Sequence, residues 1–178
     1  CHMCDRECCS GCGSVCDIED ANANANAKTN NKETCGHYVS GCKIIAKCCN
    51  KDYGCRICHD FENTDHEINR YEIEEIICNN CRLRQPISNT CINKECHFFV
   101  ETFASYYCDI CHLYSDKPGC EIFHCEKCKI CRACGIGNKP SDFFHCDKCG
   151  GCMNKQIETT HKCVSDALRN DCCICLEN

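Results

Sequence analysis

The sequence predicts a fold of small modules held together at cysteine, irregular in backbone, with short β-hairpins and little helix. Leu, Ile, Val and Phe make up only 31 of the 178 residues. That share of about 17% falls below the roughly 20% under which a charged chain fails to bury a core. Thirty residues are cysteine, and they inflate the 43% apolar figure. Cohesion must therefore come from crosslinks, either disulfides or metal ions.

Two features favour metal. The opening stretch CHMCDRECCSGC has no apolar core of the secretory kind, and no run of residues reaches the length of a membrane span. A reducing compartment, cytoplasm and/or nucleus, is the expectation. There, CxxC pairs accompanied by histidines read as metal ligands.

Residues 1–18 form a cysteine-rich arm with Cys1, Cys4, Cys8, Cys9, Cys12, Cys16 and His2. These could close around one more metal ion, although pairs so close in sequence leave little room for a closed tetrahedral site. Residues 19–34 are a low-complexity Asn/Ala run, read as a flexible linker. A first module follows at 35–103 and a second at 104–171. In RYEIEEIIC (70–78), Tyr71 and Ile73 alternate with glutamates as in a strand, although Ile73, Ile76 and Ile77 would also share a helix face. The aromatic stretch CHFFVETFASYYC (96–108) reads as strand, with Phe98, Phe99, Phe103, Tyr106 and Tyr107 packing rather than binding. Only 158–172 shows a turn or two of helical pattern.

The first module offers Cys35, His37, Cys48, Cys49, Cys55, Cys58, His59, His66, Cys78, Cys81, Cys91 and Cys96. Twelve ligands fill three tetrahedral sites. Mixed thiolate and imidazole sets in fours suit zinc. The expected grouping is Cys35, His37, Cys55 and Cys58 at one ion; Cys48, Cys49, His59 and His66 at a second; Cys78, Cys81, Cys91 and Cys96 at a third.

The second module repeats HCxxCxxC, at His124–Cys131 and again twenty-one residues on at His145–Cys152. In each copy the middle pair can chelate one ion while the flanking His and last Cys face another. The expectation is a staggered ladder: Cys108 and Cys111 with Cys125 and Cys128; His124 and Cys131 with Cys146 and Cys149; His145 and Cys152 with His161 and Cys163. The result would be an elongated tandem zinc-finger array carrying about six structural zinc ions.

Closed sites of this kind do no hydrolysis, and the sequence holds no HExxH, no deaminase signature, no phosphate loop and no nucleophile with a base. No catalytic residue is expected. Cys42, Cys120, Cys134 and Cys173 fall outside the ligand sets and read as small apolar residues, and His2, His97 and His112 as non-ligands.

CGHY (35–38), CC (48–49), CRICHD (55–60) and CNNC (78–81) resemble the CHY-type zinc finger. YYCDICHLY, FHCEKCKICR, FFHCDKCGGC and HKCVSDALRNDCCICLE resemble the CTCHY-type finger running into a RING. That order resembles one family of RING ubiquitin ligases across residues 35–177. The resemblance implies zinc fingers that recognise protein substrates and a RING that recruits a ubiquitin-conjugating enzyme. Cys172 and Cys175 match the first RING pair, at an incomplete metal site, and Ile174 stands at the enzyme contact. The remaining six RING ligands are not in the sequence, so 172–178 would be the start of a truncated RING and this polypeptide is expected not to transfer ubiquitin by itself.

Two further readings differ in class. Exchangeable thiols such as those of the arm would suit a metal-buffering or redox-sensing protein. A nucleic-acid-binding array would need a basic surface, but the formal charge is −6, and eighteen thiolates with six zinc ions take it to about −12. Nucleic acid and membrane are not expected partners.

Overall fold

The computed structural model describes residues 33–167. The cysteine arm, nearly all of the Asn/Ala linker, and the expected RING ligands Cys172 and Cys175 lie outside them. The described residues divide at Pro118 and Gly119 into two compact units.

The unit before the division holds a four-stranded antiparallel sheet. Its strands β3 (Cys42–Ile45), β4 (Asp52–Tyr53), β5 (Glu75–Cys78) and β6 (Arg84–Pro86) lie in the order β4-β3-β5-β6. Register places Ile44 opposite both Tyr53 and Ile76, Cys42 opposite Cys78, and Ile76 opposite Gln85. Facing residues in an antiparallel pair share one side of the sheet, so one buried face carries Cys42, Ile44, Tyr53, Ile76, Cys78 and Gln85. Phe98 and Phe103 complete this core, fully buried with ring centroids 5.2 Å apart. Phe98 lies over Gly41, where an added Cβ would come within 2.5 Å of the ring, so only glycine fits.

Two smaller pairs flank the sheet. β1 (Glu33–Thr34), the last two residues of the expected linker, pairs with β2 (Val39–Ser40). β7 (Tyr106–Cys108) pairs with β8 (Leu113–Ser115), which buries Tyr114. The single α-helix among the described residues, α1 (Arg56–Glu62), has seven residues. Its N-cap Cys55 contributes no side-chain hydrogen bond to the helix.

The helix-or-strand ambiguity at 70–78 resolves into a 3-10 turn at Arg70–Glu72 followed by β5. Aromatic residues 98–107 divide: Phe98 and Phe103 are core, Tyr106 and Tyr107 form β7, and Phe99 is exposed.

The unit after the division consists of two hairpins, β9 (Ile122–Cys125) with β10 (Ile130–Ala133), and β11 (Phe143–Cys146) with β12 (Gly151–Asn154). Phe123 and Phe143 bring their rings to 5.7 Å and pack the hairpins together. The helical pattern expected from 158 gives no helix among the described residues. A 3-10 turn at Lys155–Ile157 precedes open chain, because His161 and Cys163 must both turn towards one cluster.

Candidate metal centres

Most of the knuckles share one backbone device, the exception being Cys55–Cys58, which runs straight into α1. Arg82, His112, Lys129 and Gly150, each directly after a CxxC pair, and Asn50 after Cys48-Cys49, have left-handed φ between 48° and 76°. The turn closes where the amide of Arg82, Lys129 or Gly150 donates to the carbonyl of the knuckle's first cysteine, at 2.8–2.9 Å. The Cys111 and Cys128 amides also donate to Cys108 Sγ and Cys125 Sγ, at 3.3 and 3.4 Å. At Cys125 this amide bond favours thiolate over thiol. His112 is spent on this turn, and its Nδ1 lies 2.7 Å from Arg70 O.

The first centre joins the β1–β2 turn to the start of α1. Cys35 and Cys55 Sγ lie 3.6 Å apart, as do those of Cys55 and Cys58, and His37 Nδ1 is 3.7 and 3.5 Å from Cys55 and Cys58. A tetrahedron with Zn–S bonds of about 2.3 Å has edges of about 3.8 Å, slightly shorter to nitrogen. The donor atoms thus stand where zinc ligands would stand. The Cys35 thiol is pulled down to about 4, chiefly by its hydrogen bond with Cys55. At Gly54 an added Cβ would come 2.9 Å from Cys35 Cβ and 3.5 Å from its Sγ, so the chain must be bare there.

The second centre gathers Cys48, Cys49, His59 and His66. Cys48 Sγ is 3.1 Å from His59 Nε2, and His59 is fully buried. His66 Nε2 is buried without a hydrogen-bond partner. Burying an unpaired imidazole nitrogen is costly, and its place among two thiols and a second imidazole fits a metal ligand. In the third centre, Cys78 lies 3.6 Å from Cys96 and Cys81 lies 3.5 Å from Cys91. Asn80 Nδ2 donates to Cys96 Sγ at 3.2 Å.

In the second unit Cys125, Cys128, His145 and Cys152 come together. His145 Nδ1 lies 3.2 Å from Cys128 and 3.6 Å from Cys125. Cys128 and Cys152 are 3.6 Å apart, and Arg132 approaches Cys128 Sγ at 3.8 Å. A further cluster joins Cys146 to Cys163 at 3.7 Å and Cys163 to His161 Nε2 at 2.9 Å, with Cys149 against both thiols. The Cys149 backbone amide and His161 pull Cys146 down to about 6.

These sets correct the expected ladder. Cys125 and Cys128 take His145 and Cys152 rather than Cys108 and Cys111. Cys146 and Cys149 take His161 and Cys163 rather than His124 and Cys131. Register explains the shift: His124 faces Cys131 and His145 faces Cys152 across their hairpins, while the adjacent CxxC projects from the tip. Each closed set in this unit combines one tip pair with one cross-strand or looped His/Cys pair. Every set then holds three thiolates and one imidazole, whereas tip-to-tip pairing would crowd four thiolates at one ion and two at another. Cys108 and Cys111, in the earlier unit, and His124 and Cys131, in the later one with Sγ to Nδ1 of 3.8 Å, are two further donor pairs.

No cysteine among the described residues is in a disulfide. Burial pushes the Cys42 thiol far up and Cys134 to about 11, as for protonated packing groups. Cys120 is half-buried, and His97 pairs with Glu101 at 3.0 Å. Spacing did not reveal Gly54, Asn80 or the carboxylates that touch His59 and His66. The CHD and DH adjacencies were the available signal for the carboxylates.

Residues 35–106 match the CHY zinc finger family. The chain is 41% identical over 144 residues to a BRUTUS-like zinc finger protein of Arabidopsis thaliana, covering 80% of this chain and 11% of that protein. It is 38% identical to the E3 ubiquitin-protein ligase SRFP1 of Oryza sativa, covering 80% of this chain and 52% of the relative. Identity to the E3 ubiquitin-protein ligase RZFP34 of Arabidopsis thaliana is 34% over 151 residues, covering 80% and 49%. The chain thus spans between about a ninth and about half of these relatives.

Proposed function

We propose, from the match of residues 35–106 to the CHY zinc finger family and from relatives named as E3 ubiquitin-protein ligases, that this chain is the substrate-recognition region of a RING-type ubiquitin ligase. The observation that carries the reading is the closed donor sets. Five clusters each supply four protein ligands, leaving no position for substrate or water. Zinc in such sets provides cohesion and fixes surface loops, and any chemistry on a target belongs elsewhere. Exposed Phe61, Tyr71, Val100 and Ile136 give the fingers apolar surface for protein contacts.

In this reading, protein substrates dock on the fingers, and a ubiquitin-conjugating enzyme docks on a RING beginning at Cys172 and Cys175. The compartment is the reducing cytoplasm or nucleus, where free thiols persist. The test is ubiquitination by the full-length protein with a panel of conjugating enzymes. Charge reversal on the finger surface should abolish modification of captured substrates while sparing autoubiquitination. Equal loss of both activities would overturn the recognition role.

Exposed Cys48 and Cys163 favour metal buffering as a second reading. It predicts that mild chelation strips zinc within seconds and leaves the fold intact. The ligase reading predicts slow release with unfolding.

A further inference from the structure

We propose that Asp60 is the positioning residue of the Cys48–Cys49–His59–His66 centre, one carboxylate oxygen setting both imidazoles. The inference rests on the zinc reading of that centre. Asp60 Oδ1 lies 2.8 Å from His59 Nδ1 and accepts the backbone N–H of Ile68 at 2.9 Å. The first bond holds the proton on Nδ1, so Nε2 presents its lone pair to the cluster, 3.1 Å from Cys48 Sγ. The second bond ties α1, which carries His59, to the loop that carries His66 two residues before Ile68. The two rings stand edge to face at 5.0 Å, and Tyr53 closes the other side of His59 at 4.8 Å.

No other carboxylate among the described residues is placed this way. Asp65 reaches His66 Nδ1 at 3.0 Å, but its side chain is 82% exposed against 25% for Asp60. In the second unit, Asp147 and Glu126 approach His145 and His124 only at 3.7 and 3.9 Å. A carboxylate withdrawn from water and making two bonds orients a ligand more firmly than a solvated one making one.

The donor set of this centre makes the test specific. It alone among the described clusters combines two sulfurs with two nitrogens. Cadmium-113 resonances separate by the number of thiolates bound, so the full chain loaded with that isotope should give this centre a line of its own.

Asp60→Ala should shift or broaden that line and speed metal loss from this centre by about 10–100-fold, leaving the other lines in place as an internal check on folding. Asp60→Asn keeps an oxygen acceptor and should change the release rate by less than about tenfold. If Asp60→Ala lowers the melting temperature but leaves both the line and the release rate unchanged, Asp60 merely tethers a loop and the inference is overturned. If the unsubstituted chain lacks a two-thiolate line, the zinc reading of the centre fails and the inference with it, a result visible before any substitution is made.

Discussion

At the scale of single residues, a closed centre depends as much on what surrounds the ligands as on the ligands themselves. Gly54 shows this. A methyl group there meets Cys35 at 2.9 Å through backbone-anchored Cβ, which cannot swing away without taking the thiolate out of the set. Gly54→Ala should therefore lose about one equivalent of zinc, since a tetrahedral site with three ligands does not close. Metal counting by atomic emission checks it, and full zinc content in the variant would refute the steric argument. The thiols make a paired prediction. Cys125→Ser should lose metal and folded signal because Cys125 lies in a four-donor set, whereas Cys120→Ser should lose neither. Equal losses in both variants would contradict the ligand assignment. Donor identity was legible in the sequence because a CxxC pair followed by His or Cys is a local pattern. Gly54 was not, since its constraint comes from Cys35, nineteen residues earlier.

At the scale of the knuckle and hairpin, spacing announced the HCxxCxxC repeat but not which pair meets which ion. That choice is made by cross-strand register, with His124 opposite Cys131 and His145 opposite Cys152, and by the Phe123–Phe143 contact that sets the hairpins together. Neither is encoded in distance along the chain. The short helix was illegible for a related reason: α1 has seven residues and no side-chain cap, and it exists because Cys55, Cys58 and His59 must face two centres at once. The left-handed residue after the Cys125–Cys128 knuckle gives a prediction at this scale. Lys129 occupies φ 60° where the next repeat has Gly150 at 76°. A side chain costs about 1–2 kcal/mol in that region, offset in part by the greater freedom of glycine in the unfolded chain. Lys129→Gly should stabilise the zinc-loaded protein by about 0.5–1 kcal/mol, read as a rise in its thermal midpoint. A fall would mean that Lys129 contributes more through its surface contacts with Glu126 than it loses in strain.

At the scale of the molecule, the two units differ in what remains when metal leaves. Residues 33–118 bury Ile44, Ile73, Ile76, Phe98, Phe103 and Tyr114 together, a real if small apolar core. From 119 to 167 the buried hydrophobic residues are Cys125, Cys134 and Cys149, two of them within candidate donor sets. Burying a large apolar side chain is worth about 1.5–3 kcal/mol, so the first unit has a reserve that the second lacks. Chelation should consequently melt the units unequally. Hydrogen exchange after stepwise removal of zinc should show amides in β9–β12 losing all protection once the Cys125 and Cys146 centres empty, while β3 and β5 retain partial protection around Ile44 and Ile76. Acid should act in the same order, because protons compete with zinc for every thiolate and the unit with no other source of cohesion yields first. Simultaneous loss of protection in both units would show that the apolar cluster under the four-stranded sheet is itself assembled by the metal centres and adds no stability of its own.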